Sequence, residues 1–361
     1  MQMEKGINEK AKTESSPDNI IYSLMNAVRN SEAITPAPPP IPHQPQSNYS
    51  NTRSQVNATI KNPAPAPLLN VNLIRGQDRK HQVPPNTMEI PKSSVLILKE
   101  HTMDVYCGAW TKDGRYLATG SGDATAIIWE IKDHKTSSQH YCLDHATKQN
   151  RTSKDITALA WNPSGTILAT GCYDGTARLW TNHGELKHVL SSHDQPVFDV
   201  QFSPDGTMLL TAGADNKIVV WDVATGDVKQ IFHFHKGRAL DVDWLDNSTF
   251  ASCSGDCTIG ICVVGQSHPK FILDGHTKEV NKIEWDPSRT MLASCSDDRT
   301  VRIWRNFDKV PSYNILYGHT DSVYTIKWAP NDSRILASGA FDCTVRLWDA
   351  GNNSCIAVLT K

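Results

Sequence analysis

A hydroxyl, an imidazole and a carboxylate at fixed spacing are the parts of a nucleophilic triad, and this 361-residue chain repeats them along most of its length. Asp123, Asp174, Asp215, Asp256, Asp298 and Asp342 each have a hydroxyl four residues earlier: Thr119, Thr170, Thr211, Ser252, Ser294 and Ser338. Six residues after each aspartate stand Trp129, Trp180, Trp221, Cys262, Trp304 and Trp348. A histidine lies 21 to 23 residues before five of them, as His101, His193, His235, His276 and His319, and the equivalent place in the second repeat is Thr152. The remaining tryptophans, Trp110, Trp161, Trp244, Trp285 and Trp328, share one earlier position that Phe202 fills in the third repeat.

Two chemistries compete for this set. One is acyl transfer, with the hydroxyl as nucleophile. The other is a buried polar relay, in which aspartate accepts from histidine, histidine reaches the hydroxyl, and the hydroxyl accepts from the indole N–H. Copy number separates them. An active site is singular and sits in one pocket, so six copies on one ruler read as structure, with no catalytic residue. His, Cys253, Cys257 and Cys262 together would suggest zinc, but the same strand register makes those cysteines small buried residues. No metal and no cofactor are expected.

The elements that must position the relay follow from the spacing. Each unit reads as an apolar strand, a His-containing loop and three short alternating strands divided by turns, as in Ile167-Leu168-Ala169-Thr170-Gly171 followed by Asp174-Gly175. Outer strands are expected at Ser94–Leu98, His140–Leu143, Leu186–Leu190, Val228–Phe232, Lys270–Leu273, Tyr313–Leu316 and Cys355–Leu359. That is one more than the sets of inner strands, so Ser94–Leu98 has no sheet to join. Before the repeats, 13 of the 20 prolines precede Lys92. Residues 31–91 read as a disordered Pro-rich linker, and 1–30 as a polar tail in which Ile20–Val28 could form one short helix.

Composition narrows the function classes. Thirty-six Lys+Arg against 38 Asp+Glu give a formal charge of −2, which argues against a nucleic-acid coat and against direct sequence-specific nucleic-acid binding. No apolar run of about 18 residues exists to span a membrane. Nine cysteines without a CxxC pair suit a reducing compartment.

The His…Ser/Thr…Asp…Trp units, with literal Trp221-Asp222 and Trp348-Asp349, resemble WD repeats. That resemblance implies an all-β fold, a WD40 β-propeller over residues 93–361 built of four-stranded blades. A fourth repeat ending in cysteine, a second repeat without histidine, and the runs Gly275-His276-Thr277 and Trp285-Asp286-Pro287 are similar to the transducin β-like, F-box-like/WD-repeat proteins of nuclear receptor corepressor complexes. That family has eight blades, so six repeats imply an open, truncated part of an eight-bladed ring. It also implies a non-catalytic nuclear scaffold that regulates transcription by RNA polymerase II. The implied partners are nuclear receptor corepressor, a class I histone deacetylase, histone tails and ubiquitin-conjugating machinery. The competing reading is a WD-repeat substrate receptor of a ubiquitin ligase.

Binding on such a fold belongs to a rim, where loops vary while strands hold position. Residues flanking the histidine-loop exits, Tyr106, Phe198, Leu240 and Tyr324, and those preceding a key aspartate, Tyr173 and Phe341, should share one rim with Asp104, Asp155, Arg238 and Glu279. Aromatics ringed by charge are the usual composition of a partner hot spot.

Overall fold

The computed structural model describes residues 96–132, 135–145 and 154–360. The polar tail, the Pro-rich linker and the Ile20–Val28 segment lie outside the described residues. All described regular structure is β, in six four-stranded antiparallel sheets. The first holds β1 (Val105–Trp110), β2 (Tyr116–Ser121), β3 (Thr125–Lys132) and β4 (Lys135–Asp144). The second holds β5 (Ile156–Trp161), β6 (Ile167–Cys172), β7 (Thr176–Thr181) and β8 (Leu186–Ser191). The third comprises β9 (Val197–Phe202), β10 (Met208–Gly213), β11 (Ile218–Asp222) and β12 (Val228–Phe232). In the fourth are β13 (Ala239–Trp244), β14 (Thr249–Ser254), β15 (Ile259–Val263) and β16 (Phe271–Leu273). The fifth runs β17 (Val280–Trp285), β18 (Leu292–Ser296), β19 (Val301–Arg305) and β20 (Ser312–Leu316). The sixth runs β21 (Val323–Ala329), β22 (Asp332–Ala340), β23 (Thr344–Asp349) and β24 (Ser354–Thr360).

Six outer strands form where the hydrophobic pattern places them. The seventh does not: Leu96–Leu98 carries no strand, and Leu96 and Ile97 are exposed. The reason is pairing. Every third strand already has its outer neighbour, β23 included, through β24, so no third strand is left for this segment to pair with.

Sheets pack in chain order, first strand against first strand: β1 on β5, β5 on β9, β9 on β13, β13 on β17 and β17 on β21. The second group of tryptophans makes these seams. Trp161 Nε1 donates to Ala109 O (3.1 Å), Trp244 Nε1 to Gln201 O (3.1 Å) and Trp328 Nε1 to Glu284 O (2.9 Å), each on the preceding sheet. Among the described residues no sheet precedes Trp110, which is 55% exposed, whereas Trp244 is 2% exposed. At the other end, Val345 of β23 is exposed while its counterpart Val301 is fully covered by the next sheet. The same side chain is core or surface according to whether a neighbouring blade stands beside it.

Turns between second and third strands need one left-handed residue. Gly175 (φ 84°) supplies it without strain, but Ala124, Asn216, Cys257, Arg299 and Cys343 hold the same conformation at φ 61–71°. What fixes the turn is the preceding aspartate. Its Oδ1 accepts the amide two residues on, from Thr125, Thr176, Thr258, Thr300 and Thr344 at 3.0 Å and from Lys217 at 3.3 Å.

Candidate functional site: sealed relays beneath a half-exposed rim

Five of the six relays are assembled from the residues singled out by spacing. In the fifth sheet His276 Nδ1 lies 2.8 Å from Asp298 Oδ2, His276 Nε2 lies 2.7 Å from Ser294 Oγ, and Trp304 Nε1 donates to Ser294 Oγ at 2.9 Å. Equivalent chains link His101, Asp123, Thr119 and Trp129, then His193, Asp215, Thr211 and Trp221, and His319, Asp342, Ser338 and Trp348. In the fourth sheet His235 joins Asp256 (3.0 Å) and Ser252 (2.9 Å). Its indole is absent because buried Cys262 occupies that place.

Donor counting fixes the protons. The hydroxyl oxygen accepts the indole N–H, so its own proton goes to His Nε2, and Nδ1–H is left to donate to the aspartate. That is the order of a hydrolase triad, but the setting forbids attack. Thr170, Thr211, Ser252 and Ser294 are fully buried and Ser338 is 1% exposed, so in those five sheets no carbonyl can approach the hydroxyl; Thr119 of the first sheet is partly buried and already bonded by His101 and Trp129. Burial raises the aspartate carboxyls, yet the bonds they accept outweigh it and hold Asp123, Asp215 and Asp342 down to about 2, with Asp256 and Asp298 also lowered. One contributor escaped the sequence reading. The threonine two residues after the aspartate donates its hydroxyl to Oδ1 at 2.6–2.7 Å in every sheet but the third, where Lys217 stands instead.

The second sheet overturns the assignment of Thr152 to the histidine place. Thr152 lies outside the described residues, and the imidazole under the sheet is His145. Its Nε2 is 2.8 Å from Thr170 Oγ1, its ring centroid is 5.1 Å from that of Trp180, and it is 1% exposed. Trp180 Nε1 completes the chain to Thr170 at 3.1 Å. His145 precedes Asp174 by too many residues for the common ruler, and its Nδ1 bonds Leu143 O (3.0 Å) instead of the aspartate. Asp174 takes Arg178 as partner (3.4 Å). Burial, then the Arg178 charge, pushes the His145 imidazole down to about 4. The signal in the sequence was Leu143-Asp144-His145, an outer strand running into a histidine as in Leu316-Tyr317-Gly318-His319.

A further pairing governs the residue before three of the histidines, His235, His276 and His319. Arg302 stacks on Tyr313 (4.5 Å) beneath Gly275, where an added Cβ would meet Arg302 Nη1 at 2.3 Å. Gly318 stands likewise against Arg346. In the fourth sheet the sizes are exchanged, with Phe234 before the histidine and Gly260 on the strand.

The ten rim residues are all partly exposed. A bulge opens the first strand of every sheet, and its extra residue is Tyr106, Phe198, Leu240 or Tyr324 in four of them. Bulges re-aim a side chain. The same position holds Thr157 and Asn281 in the second and fifth sheets, polar residues that an aromatic pattern does not mark. Thr157 Oγ1 donates to Val197 O (2.5 Å) and Asn281 Nδ2 to Val323 O (2.9 Å), each across a seam. Asp104, Asp155, Arg238 and Glu279 immediately precede these strands. Their carbonyls accept the amides of Gly122, Tyr173, Gly255 and Asp297 at 2.9–3.1 Å. Loop entry and second turn are thereby tied together, with Tyr173 beside Asp155. Phe341 lies against Tyr324 (5.9 Å, edge-on), and Arg238 pairs with Glu279 across a seam (3.0 Å). Among the described residues no His/Cys/Asp/Glu cluster suits a metal ion, and all nine cysteines are free thiols.

Comparison with known proteins matches the family "WD domain, G-beta repeat" over residues 92–130, 143–181, 184–222, 267–305 and 311–349. The three inner strands of the fourth sheet, β13 to β15, fall between matched stretches, yet they fold like the rest. The chain is 43% identical to the mouse F-box-like/WD repeat-containing protein TBL1X over 76% of its own length and 54% of that protein. It is 45% identical to the WD40 repeat-containing protein HOS15 of Arabidopsis thaliana, over 73% of this chain and 46% of that one. It is 30% identical to the SIR4-interacting protein SIF2 of Saccharomyces cerevisiae, over 73% and 54%. The crystal structure of the C-terminal WD40 domain of Sif2 superposes with a TM-score of 0.63 at 28% identity, covering 70% of this chain and 72% of that one. The chain thus spans about half the length of the curated relatives it matches.

Proposed function

Since this chain belongs to the WD-repeat family, its activity lies in what docks on the blades, and we propose that it is a non-catalytic scaffold of a nuclear transcriptional corepressor–histone deacetylase complex. Partners would be held by the rim of Tyr106, Tyr173, Phe198, Leu240, Tyr324 and Phe341 with its charged neighbours. The observation that carries this reading is the division of labour within each blade. In five blades hydroxyl, imidazole and carboxylate are bonded to one another, and in the second the imidazole bonds the hydroxyl and not the carboxylate, while the aromatic and charged side chains singled out for binding stay partly exposed. The names of the relatives favour transcriptional regulation over other scaffold roles, since one of them is a SIR4-interacting protein. Asp104, Asp155 and Glu279 would favour a basic peptide such as a histone tail, and ubiquitin-conjugating machinery would be recruited to the same assembly.

Affinity purification of the chain from nuclear extract, read by mass spectrometry, tests the proposal. Recovery of a class I histone deacetylase with nuclear receptor corepressor supports it, and recovery of a cullin adaptor instead would favour the ubiquitin-ligase receptor. Tyr173→Ala and Phe341→Ala should each weaken capture by about 1–2 kcal/mol, roughly tenfold, with the thermal midpoint measured alongside. Unchanged capture by both variants would move the site off this rim.

A further inference from the structure

The first strand of each sheet is an edge strand, so alternate backbone N–H groups along it have no partner within the sheet. Between the third sheet and the sixth, four of these groups are taken by carboxylates of the preceding first strand. Asp199 Oδ2 accepts from Val242 N (3.2 Å), Asp241 Oδ2 from Ile283 N (2.8 Å), Asp243 Oδ2 from Trp285 N (2.7 Å) and Glu284 Oε2 from Trp328 N (2.7 Å). In the first two sheets the matching side chains are Cys107, Ala109, Ala158 and Ala160, which offer no such oxygen.

The four carboxylates differ in what neutralises them. Lys282 Nζ is bonded to Asp241 (2.8 Å), and Lys327 is ion-paired with Glu284. Among the described residues neither Asp199 nor Asp243 has a basic group within ion-pair distance. The base nearest in charge to Asp243 is Arg289, whose guanidinium is committed to Trp244 O (2.6 Å). Asp241 and Glu284 add negative charge around Asp243, and Asp241 does so around Asp199, with Lys282 as the opposing charge. Cys253, Cys295 and Tyr324 also face this cluster, and burial pushes all three up, so they stay neutral.

From this arrangement we infer that Asp199 and Asp243 are proton-sensitive clamps across the seams between the third, fourth and fifth blades, set beside the ion-paired clamps Asp241 and Glu284. A neutral carboxyl still offers its carbonyl oxygen to the amide, whereas the carboxylate must sit in the partly buried seam without a cation bonded to it. Burial pushes Asp243 up to about 7, against the pull of the Trp285 N–H, and lifts Asp199 well above the carboxylate range, the Asp241 charge adding to it. The sign follows. An acid raised in the folded state loses stability as pH rises from its unfolded value near 4 to its folded value, and is level above that.

Amide hydrogen exchange of the full chain, corrected for intrinsic rates, reads this out. Between pH 5 and 7 protection at Trp285 and Val242 should fall by up to about tenfold per unit, with the β6 amides as internal reference. Asp243→Asn, which keeps the accepting carbonyl and cannot ionise, should abolish the dependence at Trp285. A flat profile in the native chain overturns the inference without any variant. So does a slope at Trp285 that survives in Asp243→Asn.

Discussion

Replacing His145 by alanine is the sharpest test of how the second blade is built, because the spacing rule and the structure name different residues. The imidazole is 1% exposed, contacts Trp180 and accepts the Thr170 hydroxyl. Truncating a buried ring leaves a cavity worth about 2–3 kcal/mol for a side chain of this size. The stranded hydroxyl of Thr170, itself fully buried, adds roughly 1–2 kcal/mol. The sum, about 3–5 kcal/mol, should lower the thermal midpoint by on the order of 10 °C in a domain of this length. Thr152→Ala, at the place the ruler assigns, should leave it unchanged within about 1 °C. The pH profile gives a second handle. His145 titrates near 4 when folded and near 6.5 when unfolded, so the unfolded chain takes up the proton first. Stability is lost as pH falls from 6.5 to 4, by at most about 3 kcal/mol, and His145→Ala should lack that component. Differential scanning calorimetry at pH 7.5 and 5 measures both. A neutral His145→Ala, or a destabilising Thr152→Ala, would refute the reasoning.

Three further outcomes are expected. Ser294→Ala strands both the His276 and Trp304 nitrogens and should cost about 2–4 kcal/mol, whereas Ser252→Ala, with no indole to strand, should cost about half as much; urea denaturation compares them. The tetrad carboxyls of Asp123, Asp215 and Asp342 titrate near 2 when folded, so their stabilisation is full above the unfolded carboxyl pKa and is lost as pH falls from about 4 to 2. An acid titration followed by circular dichroism should show cooperative unfolding in that window. Gly275→Ala drives a methyl into Arg302 and should destabilise by about 1–3 kcal/mol. Pairing it with Arg302→Ile, the kind of residue Ile127 supplies at this position of the first blade, should recover most of the loss.

Much of this architecture is written in one dimension. An aspartate that caps a turn, a hydroxyl four residues back on the adjoining strand and an indole six residues on are local facts of strand length and turn size, so spacing alone brings them together in five sheets. Outer strands at Val228–Phe232 and Tyr313–Leu316 could be read from alternation for the same reason. The histidine is different, since it reaches its place through a loop. Five loops have one length and obey the ruler; the sixth departs, and only the space beneath the sheet reveals that His145 enters from the end of β4. Likewise the hot-spot aromatics were legible as types, but the bulge that aims them, and its polar occupants Thr157 and Asn281, depend on register between strands.

What the sequence determined by itself is the blade: a period, a strand pattern and a set of polar groups that satisfy one another within about fifty residues of chain. What the tertiary structure decided is everything between blades. Trp244 is core and Trp110 is surface with the same local sequence role, and Asp243 is a seam clamp where Ala160 is not. Gly275 and Phe234 are alternatives fixed by Arg302 and Gly260 on the strand opposite. The physical reason is that a blade cannot bury its own faces, so burial, charge neutralisation and the fate of its edge amides are set by the neighbour it meets.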